Sequence, residues 1–305
     1  MKVKALVPEY LRYLETLGRS PHTLRNVRYS LNHLICFLDA EGAAGIETLD
    51  EEIIAEYQQE LCFCLTAGMR PLARRTQALR LSIVKGFTRF LKERDYLAID
   101  PGKKLILPKK PRRLPRVILS VAEVRQLLAA ADTRTKTGHR NRVILEILYD
   151  TAIRRAEAAG IRLHDLDLGS GYLRVIGKGD KERVVPLSRR VCALVETYIT
   201  AVRPGYVRGS DPGYLILNRW GRRMTPNGIW AVVKRCAKLA GMEKTVSPHT
   251  LRHACATHML KNGAPTRHLQ QMLGHESLES TQLYTHVTIN DLKEIHARYH
   301  PSGRL

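Results

Sequence analysis

One break constrains the fold of this chain more than any other feature. Residues 101–120, PGKKLILPKKPRRLPRVILS, hold four prolines and, between Lys103 and Arg116, seven basic residues and no acid. Proline has no backbone donor and a fixed φ, so neither a helix nor a central strand runs through such a stretch; it is an extended connector. At 305 residues the chain sits at the upper limit of what one core serves, so a break here predicts two domains. The expected organisation is a domain over 1–100, a basic Pro-rich linker over 101–119 and a second domain over 120–305.

The periodicity on either side of the break sets the fold class. In SPHTLRNVRYSLNHLICFLDAEG, Leu24, Val27, Leu31, Leu34, Ile35 and Leu38 recur every three to four residues until Gly42 ends the run. LDEEIIAEYQQELCFCL and RRTQALRLSIVKGFTRFLKE repeat the pattern, and PEYLRYLETLG adds a shorter helix. The first domain is therefore expected to be all-α, with four or five helices. Beyond the linker, Ser120-x-x-Glu123 is a capping box and HRNRVILEILYDTA a second helix. YLRVIGKGDKERVVPL, residues 172–187, reads as a β-hairpin with Gly-Lys-Gly-Asp at its turn. Helices follow at 188–202, 226–240, 248–262, 266–273, 277–285 and 289–299, with one short strand at 214–217. The whole is mainly α: a helical domain, then a mostly helical α+β domain with a small antiparallel sheet.

Charge narrows the partner. Fifty Lys and Arg against 29 Asp and Glu leave a net charge of +21, an excess that favours a polyanion and puts nucleic acid ahead of a membrane surface. No apolar run approaches a membrane span, and the amino terminus shows no secretion signal, so a cytoplasmic, nucleoid-associated protein is expected. The six cysteines form neither a zinc-ribbon nor a redox spacing and are expected as buried thiols. Eight of the twelve histidines lie between 249 and 300, yet no His-Glu-x-x-His is present and carboxylates are sparse around them, which argues against a metal hydrolase. No metal and no cofactor are expected.

A hexapeptide raises the question of a site. SPHTLR occurs at 20–25 and again at 247–252. Both copies are well-made helix starts, with Ser as N-cap and Pro at the first helical position. In each, a histidine and an arginine three residues apart share one face near a helix N-terminus, where backbone N–H groups favour an anion such as phosphate. Their surroundings differ. Around the second copy stand Arg154 and Arg155 in LYDTAIRRAEAAGI, Lys178 at the hairpin tip, and HLQQMLGHESLESTQLYTHV with His275 and Tyr284.

In order and spacing, Arg154, Lys178, His249, Arg252, His275 and Tyr284 resemble the catalytic set of the tyrosine recombinases, the phage-type integrases. GKGDKERVVPL, SPHTLRHACATHML and LGHESLESTQLYTHV are especially similar to the Xer-type branch. The resemblance spans nearly the whole chain, since in that family a helical, SAM-like core-binding domain precedes the catalytic domain. It implies a site-specific recombinase that cleaves and rejoins double-stranded DNA through a 3′-phosphotyrosine, without metal or ATP. It also implies a homotetramer on two DNA sites, or a heterotetramer with a paralogue, and a carboxy-terminal helix that docks into a neighbouring protomer. Family roles include integration of mobile elements and resolution of chromosome dimers.

The chemistry asked of these residues follows from the reaction. The transition state of phosphodiester cleavage is dianionic, so two arginines, Arg154 and Arg252, forking onto its non-bridging oxygens supply bidentate charge-assisted hydrogen bonds. By resemblance Tyr284 is the nucleophile, Lys178 the general acid for the leaving 5′ oxygen, His249 the general base or a proton shuttle and His275 a hydrogen-bonding support. Each has a local rival: Arg155 for Arg154, Lys181 for Lys178, Tyr299 for Tyr284. Ala152 stands where the family usually has glycine and Ala156 where it often has serine; alanine at 152 is comfortable only if φ is negative. Two other readings of the same residues stay open at this point, a type IB topoisomerase-like enzyme and a catalytically inactive DNA-binding protein.

Overall fold

The computed structural model describes residues 1–66, 68–108, 118–177, 181–274 and 286–301, with the backbone alone over 286–291. The chain forms two compact units, Met1–Pro115 and Arg116–Leu305. The helix expected at 277–285 lies outside the described residues.

The first unit holds four helices among the described residues: α1 (Val3–Thr16), α2 (Pro21–Ala40), α3 (Glu51–Phe63) and α4 (Arg74–Glu93). Side chains satisfy the orphan donors at two of their starts. Ser20 Oγ accepts from Thr23 N at 3.2 Å, and an Asp50 carboxylate oxygen accepts from Ile53 N at 2.9 Å. The apolar stripe read from the sequence is the core: Leu31, Leu34 and Leu38 of α2 are buried against Tyr57 of α3 and Phe87 and Phe90 of α4. Each such side chain contributes about 1.5–3 kcal/mol on burial. α1 starts earlier than the sequence suggests and carries Pro8 in its interior. Val3, Leu6 and Val7 explain this, because their burial extends the apolar face beyond the proline. The expectation of buried thiols fails in this unit: Cys36 and Cys62 are exposed and Cys64 half-buried, while Cys192, Cys236 and Cys255 are buried.

In the second unit, α5 (Val121–Ala129) begins with the Ser120–Glu123 capping box, and α6 (Lys136–Asp150) runs through the core with Val143 to Asp150 all buried. Then come α7 (Arg155–Gly160) and a three-stranded antiparallel sheet in the order β1 (Leu166–Asp167), β2 (Tyr172–Ile176), β3 (Glu182–Pro186). In the expected hairpin, Leu173 faces Val185 and Val175 faces Arg183. The inward face of β3 thus carries Val185 and, unusually, a buried arginine. The strand expected at 214–217 does not form. Tyr214 bridges only to Arg162 and Leu217 only to Arg223, single pairs too sparse to build a ladder. α8 (Arg189–Thr197) runs into a π-helical turn over Tyr198–Val202, followed by α9 (Pro226–Leu239), α10 (Pro248–Lys261), α11 (Thr266–Leu273) and α12 (His286–Tyr299). Among the described residues no helix is long and apolar enough to cross a membrane.

The carboxy-terminal helix α12 packs against α10, α11 and β3 of its own domain. Leu292 is buried, and two histidines latch the helix to the end of α6. His296 Nε2 donates to Asp150 O at 2.8 Å and His300 Nε2 to Tyr149 O at 3.1 Å, with the imidazoles stacked 4.6 Å apart. Burial, with the neighbouring His296, pulls His300 down to about 3. The unfolded chain binds that proton near pH 6.5 and the folded chain does not, so this contribution is complete above pH 6.5 and is lost as pH falls below it. Between pH 7.5 and 5.5 the loss amounts to about 1.4 kcal/mol. Thermal melts should show wild-type chain losing several degrees more over that interval than a His300→Gln variant, whose side chain does not titrate. Equal losses would mean that His300 is not buried in its neutral form.

Candidate active site

The two SPHTLR copies fold into the same local structure. At the second, Ser247 Oγ accepts from Thr250 N at 3.3 Å and lies 3.0 Å from Thr250 Oγ1; at the first, the equivalent distances to Thr23 are 3.2 and 2.9 Å. They part at the arginine. Arg25 is exposed on α2. Arg252 is half-buried, with Nη1 donating to Ala152 O at 2.7 Å and Nη2 to Leu273 O at 2.6 Å. His249 stands exposed on the first turn of α10, three residues before it.

Arg154 comes to the same place from another direction. It is the N-cap residue of α7, and its backbone N donates to Glu157 Oε2 at 2.7 Å while Nη1 donates to Glu157 Oε1 at 3.0 Å. Its Nη2 reaches Gly274 O at 3.5 Å. The carboxylate that orients it is itself gripped by Arg183, whose Nη1 and Nη2 donate to Glu157 Oε1 and Oε2 at 3.0 and 2.8 Å. Burial pushes the Glu157 carboxyl up, but Arg183 and Arg154 outweigh it and hold it below the ordinary carboxylate range. Burial, together with the nearby Arg154, pulls the Arg252 guanidinium down to about 10, so it stays charged at neutral pH.

The end of α11 is the common anchor. Met272 O accepts from Arg183 Nε at 3.1 Å, Leu273 O from Arg252 and Gly274 O from Arg154. The last carbonyls of a helix lack intrahelical partners and form the negative end of its dipole, which offsets part of the repulsion among the three cations gathered there. Gly274 ends the helix at φ +62°, in the left-handed region. Three guanidiniums around one carboxylate leave a local excess of positive charge. Arg154 and Arg252 lie at its partly exposed side, and an anion is what such an arrangement binds.

Ala152 differs from the sequence expectation. Its φ is +53°, not negative, so a Cβ occupies a left-handed position that glycine would take without strain. The cost is of order 1–2 kcal/mol. The residue is 1% exposed and its carbonyl accepts from Arg252, so packing and that bond hold the conformation. Ala156, the other departure, is exposed on α7, and nothing in its surroundings requires a serine.

Of the six residues singled out in the sequence, Arg154 and Arg252 converge, His249 lies on the same helix turn as Arg252, and Lys178, His275 and Tyr284 lie outside the described residues. Two rivals resolve. Arg154, rather than Arg155, meets α11. Tyr299 packs over Gly263 and accepts at its carbonyl from Asn262 Nδ2 at 2.7 Å, which is structural work. Two further histidines of α10, His253 and His258, point apart: His258 turns into the core to Tyr149 Oη at 2.9 Å while His253 is exposed. Sequence reasoning missed Glu157 and Arg183. Glu157 had a signal in its spacing, three residues after an N-cap position, which is where a glutamate folds back on the helix start. Arg183 had none.

Comparison with known proteins bears on the family and the fold. Residues 118–291 match the phage integrase family and residues 7–95 the SAM-like N-terminal domain of phage integrases. Tyrosine recombinase XerD of Staphylococcus haemolyticus is 36% identical over 301 residues, covering 98% of this chain and 99% of that protein. Among solved structures, a lambda integrase tetramer bound to a Holliday junction superposes with a TM-score of 0.69 at 17% identity, covering 92% of this chain and 80% of that one. The XerH site-specific recombinase bound to difH substrate, a pre-cleavage complex, gives 0.67 at 19% identity, covering 96% and 81%. At these identities the two structures speak to the fold.

Proposed function

Because the chain belongs to the phage integrase family of site-specific tyrosine recombinases, we propose that it breaks and rejoins DNA strands through a 3′-phosphotyrosine on Tyr284. The observation that carries this reading is the pairing of Arg154 and Arg252 at the end of α11. Two charged forks held side by side by carbonyls and one carboxylate, before any substrate arrives, form a preorganised clamp for the two non-bridging oxygens of a phosphodiester. Such donors act on charge as it develops and need no reorganisation at the moment of reaction.

The remaining roles are those that the resemblance to the tyrosine recombinases implies. Tyr284 attacks the phosphorus and its oxygen forms the new P–O bond; the 5′ oxygen departs and must gain a proton. Lys178, which lies in the sequence between β2 and β3, donates it. His249, one turn before Arg252, takes the phenolic proton, and His275, next in the chain after Gly274, hydrogen-bonds the phosphate. The ester energy is kept in the tyrosyl link, so a second 5′ hydroxyl completes exchange without ATP, and no step calls for a metal. Four protomers, or two with two of a paralogue, are proposed to assemble on two duplex sites. There the helical first unit and the basic segment 101–119 supply phosphate contacts, so affinity should fall steeply with salt.

The test is a trap. A duplex selected by the chain from a randomised library, nicked beside its centre, loses the short strand after cleavage and leaves the protein attached. The wild-type chain should give a covalent adduct of full yield in excess EDTA. No adduct would defeat the recombinase reading, and an adduct only on adding a divalent ion would defeat the metal-free one.

A further inference from the structure

Arg183 is an arginine where the register of β3 calls for an apolar residue. It faces Val175 of β2 on the inward side of the hairpin and is 6% exposed. An isolated buried cation is expensive, and this one is fully engaged: one fork spans both oxygens of Glu157, and Nε donates to Met272 O. Three separate segments therefore meet on one guanidinium. They are the hairpin, α7 through Glu157, and the end of α11.

Two of these segments hold or support a member of the phosphate clamp. Glu157 orients Arg154 through two hydrogen bonds. The α11 end accepts from Arg252 at the residue next to the one that Arg183 holds. A Cβ added at Gly274 would lie 3.3 Å from Arg183 Cδ, Nε and Cζ, so the helix end is seated directly on the arginine. Gly177, whose N donates to Lys181 O at 2.8 Å, would place a Cβ 3.5 Å from Arg183 Nη1. Arg183 itself is buried, with all three of its guanidinium nitrogens engaged by protein acceptors.

We propose that Arg183 is a positioning residue for strand cleavage: through Glu157 and the end of α11 it sets the spacing of Arg154 and Arg252 that fits them to the transition state. This rests on the recombinase reading above. Arg183 leaves initial DNA binding, which is spread over many phosphates, to other groups. Its effect lies in the chemical step, where an error of an ångström in a clamp costs rate steeply.

The experiment combines single-turnover cleavage of the selected, nicked duplex with its equilibrium affinity, for wild type, Arg183→Met, Arg183→Lys, Glu157→Gln and the double variant Arg183→Met/Glu157→Gln. Arg183→Met should cleave at least about tenfold more slowly, with affinity within about twofold of wild type. Arg183→Lys keeps the cation without the fork and should recover part of the rate. The double variant should be no slower than the worse single one, because both changes break the same support. Additive losses, a parallel fall in affinity and rate, or an unchanged rate would each overturn the proposal. If Arg183→Met is unfolded at the assay temperature by circular dichroism, Arg183→Lys against Glu157→Gln decides on the same criteria. No adduct from wild type would instead overturn the recombinase reading itself.

Discussion

Replacing Arg252 by alanine should lower the rate of covalent adduct formation by at least about 10²–10³-fold, the usual consequence of removing one preorganised donor from a developing anion. Two carbonyls, Ala152 O and Leu273 O, already hold the guanidinium in place, so its fork is aimed before DNA arrives. Its charge survives burial at neutral pH. Lysine should not substitute, because a point charge cannot reproduce two parallel donors anchored on two carbonyls. The matching change at Arg25 makes the contrast. That arginine occupies the same place in an identical hexapeptide but is exposed. Arg25→Ala should leave cleavage of bound DNA unchanged and at most remove one phosphate contact, reducing the salt slope of binding by about one. Adduct yield against time, at protein concentrations that saturate the duplex for each variant, separates the two. Equal effects would mean that the hexapeptides do the same job.

Tyr284→Phe should abolish the adduct, by at least about 10⁴-fold, while leaving the affinity for duplex DNA near that of wild type. Phenylalanine keeps the ring and removes the one atom that forms the bond to phosphorus, so no residual nucleophile remains. Tyr299→Phe is the control. Tyr299 packs over Gly263, and its polar contact to Asn262 is through the backbone carbonyl, so loss of its hydroxyl should leave adduct formation intact. Peptide mapping of the trapped duplex identifies the attached residue directly. An adduct on any tyrosine other than Tyr284, or a Tyr284→Phe chain that still cleaves, would overturn the assignment.

Much of the architecture was legible because it is written in short-range code. Helix spans follow from apolar residues every three to four positions, and starts such as Ser20, Ser120 and Ser247 follow from side chains that cap a backbone N–H three residues on. The hairpin follows from β-branched arms around a glycine-rich turn. Where longer-range packing competes, the reading slipped. α1 extends past a proline because its buried face demands it, and 214–217 fails as a strand because its bridges to Arg162 and Arg223 are isolated and arginine side chains take the carbonyls of Tyr214 and Leu217.

By itself the sequence determined two units, their helical content and the order of the polar residues that mark the family. All of these depend on neighbours within about one helical turn or on identity alone. Tertiary structure decided which of two identical SPHTLR segments holds an arginine in a clamp, since the partners of Arg252 lie 100 and 21 residues away. It decided that Ala152 takes a left-handed backbone. It also made Arg183 the hub, joining residues 26 and 89 positions distant through a single guanidinium. The two hexapeptides carry the same caps and the same helix start. What surrounds the second one, three guanidiniums drawn to one helix end and one carboxylate, comes from chain segments that meet only when the domain folds.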